Sequence, residues 1–221
     1  MSEGRTLIAI AGADGAGKTT VSKLLVERLN ASGRSARYVD RWDIVGSARY
    51  PAADFLLDDV PHIRGRVPEM PPQPRLLFLL WTMALAASET AVRDATTEVV
   101  VLDGYWMKHA ASEVVYGLDD QWVASVVNGL PAPDLVLRLR LDPVEAWRRK
   151  GGDVLPYECG MDDSCSRQAF LEHQGRIEGR LADWAAVYEW QEVDASAPLA
   201  DIVENAVSHA LAAAEPRLTD E

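Results

Sequence analysis

Residues 12–19 read Gly-Ala-Asp-Gly-Ala-Gly-Lys-Thr, and what flanks them determines the architecture. The octet fits G-x-x-x-x-G-K-(S/T). It stands between a short apolar run at 6–11 and a stretch over 18–31 in which Val21, Leu24, Leu25 and Leu29 recur at helical spacing until Gly33 stops it. Strand, glycine-rich turn and helix in that order make a phosphate-binding loop. Glycines let the backbone wrap so that successive N–H groups point inward, and the helix N-terminus adds its positive dipole end. Gly12, Ala13, Asp14, Gly15, Ala16 and Gly17 therefore read as the cradle for a polyphosphate. Lys18 reads as the group that neutralises its outer phosphates, and the Thr19 hydroxyl as a Mg²⁺ ligand.

Working outward, short β-type runs at 6–11, 36–40, 98–103, 135–141 and 192–194 alternate with helical stretches at 18–31, 76–94, 119–130, 143–150, 168–189 and 199–214. That alternation is the mark of βαβ units on a parallel sheet, an α/β three-layer sandwich of five strands. Val99-Val100-Val101-Leu102 is apolar without a break, as expected of the central strand covered on both faces. The 135–141 run alternates in part, so one of its ends is expected to be exposed. Residues 51–74 carry six prolines and read as an irregular excursion, and residues 151–166, with Gly-Gly, Pro156, Gly160 and several acids, read as a loop able to act as a lid.

The chain has 221 residues, 48% hydrophobic and 25% charged, with 34 acidic against 22 basic residues and a net charge of −12. That is an ordinary globular composition. Its acidity argues against a nucleic-acid binder, whose footprint is a basic face, so an anionic ligand would need locally focused donors. Cys159 and Cys165 are too few for a disulfide framework and lack a zinc spacing, which points to a reducing cytoplasm. No stretch has the length of a membrane span or the pattern of a signal peptide.

A nucleotide loop needs an acid near its metal, usually at the end of a neighbouring strand. Asp103 closes 98–103 and is placed as that carboxylate, unless it only caps a helix. Asp40 ends the second run and is a weaker candidate. Arg41 beside it is placed to face phosphates.

These residues, in order and spacing, resemble the thymidylate kinase family of P-loop nucleoside monophosphate kinases over most of the chain. The likeness rests on Gly12 to Thr20 with acidic Asp14, on Leu76-Leu77-Phe78, on Asp103-Gly104-Tyr105 and on Gly117-Leu118-Asp119 with Trp122. Pro133-Asp134-Leu135, Leu141-Asp142-Pro143 with Arg148-Arg149, and Asp194-Ala195-Ser196 extend it. The resemblance implies a single P-loop kinase domain over 1–221 with a lid, ATP and Mg²⁺ as cofactors, and a small-molecule phosphoryl acceptor as partner. It further implies that Lys18, Thr19 and Thr20 hold ATP·Mg²⁺, that Arg148 or Arg149 lies near its base or phosphates, and that Asp103 orders the metal or the acceptor phosphate donors. Asp14 would reach the sugar hydroxyl of the acceptor and Phe78 would pack on its base. Members commonly pair as dimers.

The departures concern the acceptor half. Position 104 is Gly where the family has the Arg that clamps the acceptor phosphate, and Trp81, Thr82 and Ala84 stand where it has an Asp-Arg pair and a Gln. Residues 151–166 are acidic through Asp153, Glu158, Asp162 and Asp163. Arg41, Arg64, Arg66, Arg75, Lys108 and Arg167 are available replacements, although each also reads as a solvated charge. Trp81, Met83, Tyr105, Trp106 and Met107 are placed to shape a different pocket, or are plain core. Each of the four histidines, His62, His109, His173 and His209, reads first as packing or surface. The residues leave three readings open: a nucleoside monophosphate kinase, a kinase of a non-nucleotide metabolite with Asp14, Asp40 or Asp43 as base, and a nucleotide-binding protein without transfer activity.

Overall fold

A computed structural model describes residues 5–93 and 96–215. Five parallel strands, β1 (Thr6–Ala11), β2 (Ala36–Val39), β3 (Val99–Asp103), β4 (Leu135–Arg140) and β5 (Gln191–Asp194), form one sheet in the order β2-β3-β1-β4-β5. The central strand is thus β1 and not β3, which lies one place out with its valines still covered on both faces. The register pairs Ile10 with Asp103 on one side and with Leu137 on the other. This sets the loop after β1 beside the end of β3. At the far end of β4, Arg140 is exposed, as the partial alternation required.

The strand period of two sends alternate β1 side chains to opposite layers. Ile8 and Ile10 pack with Val21, Leu25 and Leu29 of α1 (Lys18–Ala31) and with Ile202, Ala206 and Ala210 of α8 (Leu199–Ala214). Ala9 and Ala11 face the opposite layer, built from α3 (Pro72–Arg93), α4 (Trp106–Val115), α5 (Asp120–Val127) and the Ile177 and Leu181 face of α7 (Arg167–Val187). The three-layer α/β/α arrangement follows from that division.

Two expectations need correction. Residues 51–74 are not simply irregular: after a turn at Pro51–Ala53, α2 (Val60–Arg66) is capped by Asp59, whose carboxylate accepts from the His62 amide at 2.8 Å, and the long helix already starts at Pro72. Pro61 sits in the first turn of α2, where no donor is needed, so the prolines punctuate helices instead of excluding them. The expected end of the long helix at Asp94 lies outside the described residues. The helix α4, over residues that had no secondary-structure assignment, is the larger omission. It starts without a side-chain cap and turns Lys108, His109, Ser112 and Glu113 inward, which hides the amphipathic pattern. Finally, α6 (Pro143–Lys150) ends at Gly151, and residues 151–166 fold back over the sheet end with Tyr157 and Cys159 buried.

Candidate active site

The loop over 12–19 rises from the C-terminal end of β1 and separates two clefts. One, of about 410 Å³, is lined by Gly15, Ala16, Gly17 and Thr20 on the loop side and by Arg149, Lys150, Ala197 and Leu199 opposite. The other, of about 250 Å³, takes Asp14, Lys18 and Thr19 from the loop, Asp103 to Tyr105 from the end of β3, Arg41 from the turn after β2, and Lys108 and His109 from α4. Ligands in open α/β sheets bind outside the carboxyl ends of strands, where these clefts lie.

The loop's conformation depends on its glycines at two points. Gly12 has φ +146°, and a Cβ there would sit 2.7 Å from the Leu139 carbonyl oxygen; Gly15 has φ +85°, and its Cβ would sit 3.0 Å from the Ala146 Cβ. No larger residue fits either place unstrained. Among the described residues no acceptor engages the amides of Gly15, Gly17, Lys18, Thr19 or Thr20, the first bonded helical amide being that of Val21, to the Gly17 carbonyl at 3.0 Å. The loop thus presents a run of unpaired N–H groups at a helix start, an anion cradle by its own geometry. Lys18 Nζ donates to the carbonyls of Gly12 at 3.0 Å and Ala13 at 2.8 Å. Burial and the neighbouring Lys108 lower its pKa from the usual lysine value, against the pull of Asp14 and Asp103.

Helix α7 braces the loop from behind. The Ala13 amide donates to Glu178 Oε1 at 3.3 Å and the Asp14 amide to Gln174 Oε1 at 3.0 Å. Glu178 is in turn held by the buried Arg138 at 2.6 Å. Burial raises the Glu178 pKa, with Arg138 working in the opposite direction. The Gln174 amide nitrogen also donates to the Glu158 carbonyl at 2.8 Å, joining the loop to the 151–166 segment. Neither Gln174 nor Glu178 was singled out in the sequence, although both stand at helical spacing within the apolar stripe of Phe170, Ile177 and Leu181, where a polar residue is itself a signal.

Several expected residues meet here. Asp103 accepts from the Tyr38 hydroxyl at 2.7 Å and lines the smaller cleft with Lys18 and Thr19. Arg41 lines it too, stacked on Trp42 at 4.9 Å and touching His109 Nε2. Tyr105 is buried in the wall and donates to the Pro131 carbonyl at 3.1 Å. Arg149 lines the larger cleft and donates to the Ala195 carbonyl at 2.8 Å. Asp40 lines the smaller cleft, while its carboxylate caps the following turn through the Trp42 amide at 2.7 Å.

Others stand elsewhere. Arg148 lies 73% exposed on α6, held by Glu145 at 2.7 Å, and lines neither cleft. Phe78 stacks on Trp81, which in turn packs on Phe55, because the helical phase that turns Leu79 toward the cleft turns them aside. Asp14 does not stand free for a sugar hydroxyl: its carboxylate pairs with Lys108 Nζ at 2.9 Å. Burial opposes ionisation of Asp14, but Lys108 and Lys18 outweigh it and hold its pKa well below the ordinary carboxylate value. Two residues that read as solvated charges are buried. Lys108 is one. The other, Arg75, forms a two-point pair with Glu113 at 2.6 and 2.8 Å, and Glu113 also accepts from the Tyr157 hydroxyl at 3.0 Å, anchoring the 151–166 segment to α4. His173 lies behind the site, 3.1 Å from the Tyr116 hydroxyl, and His62 is on the surface.

Among the described residues no cluster of three His, Cys, Asp or Glu side chains forms a ready metal cage. Mg²⁺ does not require one, since it is commonly bound by one or two protein oxygens together with substrate phosphates. The exposed Thr19 hydroxyl and Asp103 supply that minimum on the same cleft.

No protein-family model matches the chain. Among curated proteins it is similar to a probable thymidylate kinase 1 of Saccharolobus solfataricus, 26% identical over 91% of this chain and 94% of that protein. A thymidylate kinase of Schizosaccharomyces pombe is 29% identical over 89% and 87% respectively. A thymidylate kinase of Caenorhabditis elegans is 30% identical over 66% of this chain and 67% of its own length.

Proposed function

The chain belongs to the thymidylate kinase family, and from that premise we propose that it transfers the γ-phosphoryl group of ATP, with Mg²⁺, to the phosphate of a nucleoside monophosphate or a close analogue. The observation that carries this reading is the placement of the phosphate loop between two clefts, with the amides of Gly15 and of Gly17 to Thr20 unpaired among the described residues and Lys18, Thr19 and Asp103 together lining the smaller cleft.

In this reading the larger cleft takes the donor nucleotide. Gly15 and Gly17 to Thr20 present their amides to its phosphates, and Arg149 with Ala197 and Leu199 forms the wall for its base. Thr19 and Asp103 hold Mg²⁺, which when bound offsets phosphate charge and orients the outer phosphates. Lys18 sits where the two clefts meet and neutralises charge as it moves from donor to acceptor. The smaller cleft takes the acceptor: Arg41 faces its phosphate, Tyr105 closes the wall, and residues 151–166 exclude water as a lid. Asp14 acts through Lys108 by fixing its ammonium group, and not as a hydroxyl acceptor. A phosphate acceptor brings its own anionic oxygen, so the transfer demands no general base, and positioning with charge neutralisation does the work. The unbridged thiols Cys159 and Cys165 suit a cytoplasmic enzyme.

One observation favours an acceptor other than thymidine monophosphate. Among the described residues of α3 only Leu79 lines the cleft, and the Thr82 hydroxyl is fully buried and donates to the Leu79 carbonyl at 2.7 Å, so these residues offer no free group to read a base. The experiment is ADP release with ATP and Mg²⁺ across a panel of nucleoside monophosphates and phosphorylated non-nucleotides. Release stimulated by a nucleoside monophosphate supports the first reading and release only with a non-nucleotide the second. ATP binding without stimulated release by any member rejects both.

A further inference from the structure

Two consecutive peptide units at the start of the phosphate loop are held from both sides. In the unit joining Gly12 to Ala13, the carbonyl accepts from Lys18 Nζ at 3.0 Å and the amide donates to Glu178 Oε1 at 3.3 Å. In the unit joining Ala13 to Asp14, the carbonyl accepts from Lys18 Nζ at 2.8 Å and the amide donates to Gln174 Oε1 at 3.0 Å. A trans peptide is flat, with its C=O and N–H pointing opposite ways, so whatever grips the N–H also aims the C=O. Gln174 and Glu178 stand one helical turn apart on α7 and reach the loop from one face of that helix. Turning either unit over would bring its N–H, a positive pole, against the ammonium group. The grip is itself secured: Gln174 is fully buried, and Glu178 pairs at 2.6 Å with the buried Arg138, which also pairs with Glu192 of β5. The Glu178 charge also favours the ammonium form of Lys18. The Arg138 Nε has no partner among the described residues, and an apolar pair in place of such a buried ion pair commonly serves stability as well or better. Stability alone therefore does not account for the arrangement.

We propose that Glu178 and Gln174 are positioning residues for Lys18: by holding two amides they aim the Gly12 and Ala13 carbonyls at Lys18 Nζ, and so set where its ammonium group stands in the wall of the smaller cleft, with Arg138 fixing Glu178. The inference rests on the kinase reading for the use to which Lys18 is put. In this arrangement neither side chain meets the phosphates, which fall to the amides of Gly15 and Gly17 to Thr20 further along the loop. A lysine side chain is long and carries much rotamer freedom, and here that freedom is given up before any ligand arrives. Lys18 enters the reaction from a prepared place, which is the condition for charge neutralisation without reorganisation.

The test is a double-mutant cycle on the full chain that pairs Glu178→Leu and Gln174→Leu each with Lys18→Ala. It reads calorimetric binding of ATP·Mg²⁺ alongside kcat for ADP release stimulated by the active member of the acceptor panel. In the parent background each variant should lower kcat by about tenfold with the KM for the acceptor little changed. That loss should exceed the loss in the Lys18→Ala background by at least about fivefold, and ATP·Mg²⁺ binding should weaken in the same Lys18-dependent way. Glu178→Gln, which keeps an acceptor oxygen for the Ala13 amide, should recover most of the loss. Gln174→Leu removes no charge, so it completes the cycle even where Glu178→Leu, by stripping Arg138 of a partner, fails to fold. Equal losses in the two backgrounds, or variants that match the parent, overturn the positioning role. Lys18-dependent weakening of ATP·Mg²⁺ binding while no panel member stimulates ADP release leaves the positioning of Lys18 standing and removes the kinase reading instead. A parent that does not bind ATP·Mg²⁺ overturns both.

Discussion

At the scale of single residues, Lys18 and Gly12 separate chemistry from architecture. Among the described residues Lys18 Nζ hydrogen-bonds only to the carbonyls of its own loop, so Lys18→Ala should leave the melting temperature near that of the parent. It should nonetheless lower transfer by about 10²–10³-fold, the size of losing one preorganised charge-stabilising donor, as steady-state ADP release would show. Gly12→Ala should do the reverse in order of cause. A Cβ 2.7 Å from the Leu139 carbonyl forces the loop to shift, with strain of about 1–3 kcal/mol, so both thermal stability and ATP binding should fall together. The buried histidines give the pH dependence. Burial, then Lys108, depresses His173 from 6.5 to about 4, and burial with Arg41 depresses His109. The unfolded chain therefore takes up protons below about pH 6.5 that the folded chain refuses, and stability should decline as pH falls from there toward 4. Urea midpoints measured across that range should slope downward, and His173→Gln should flatten the slope. A flat parent profile would contradict the placement of both rings.

At the scale of elements, α4 decides how the site is held together. Its inward Glu113 pairs with Arg75 of α3 and receives the Tyr157 hydroxyl of the 151–166 segment, so three elements share one carboxylate. Glu113→Ala would leave a guanidinium that is 4% exposed without its counter-charge, and should cost about 3–5 kcal/mol in denaturant unfolding. Arg75→Met combined with Glu113→Leu should recover much of that loss, because an apolar pair needs no counter-charge. The same helix shows where sequence reading ran out. The bounds of β1, α1, α6 and α8 were legible from apolar period and stop residues, and the phosphate loop from its spacing. Helix α4 was not, since its cap is missing and its buried face carries Lys108, His109 and Glu113, which read as solvent-facing. Helix α2 was hidden by Pro61, which in fact sits in its first turn. The phosphate loop is local in sequence and so was visible. The smaller cleft is assembled from side chains far apart along the chain, and only the fold brings Arg41 against His109 or Lys108 against Asp14.

At the scale of the whole molecule, the chain carries a net charge of −12, yet in the smaller cleft Lys18, Arg41, Arg64 and Lys108 stand against Asp14, Asp40, Asp103 and Glu158. That local balance opposes an anionic ligand less than the chain's overall charge does. A ligand that binds only the folded state adds to its stability, by about 2.7 kcal/mol at a hundredfold excess over its dissociation constant. ATP·Mg²⁺ at that excess should therefore raise the melting temperature by roughly 5–10 °C for a chain of this length, and the same addition to Lys18→Ala should raise it less. The two ends of the Gln174 side chain bear on how the whole works as a cycle. Its oxygen takes the Asp14 amide and its nitrogen the Glu158 carbonyl, so a single carboxamide pins floor to roof. Under the proposed reading, swinging the roof aside to discharge a product would break one of those bonds or drag the floor with it, so that unloading one side would be felt at the berth where the next triphosphate must moor.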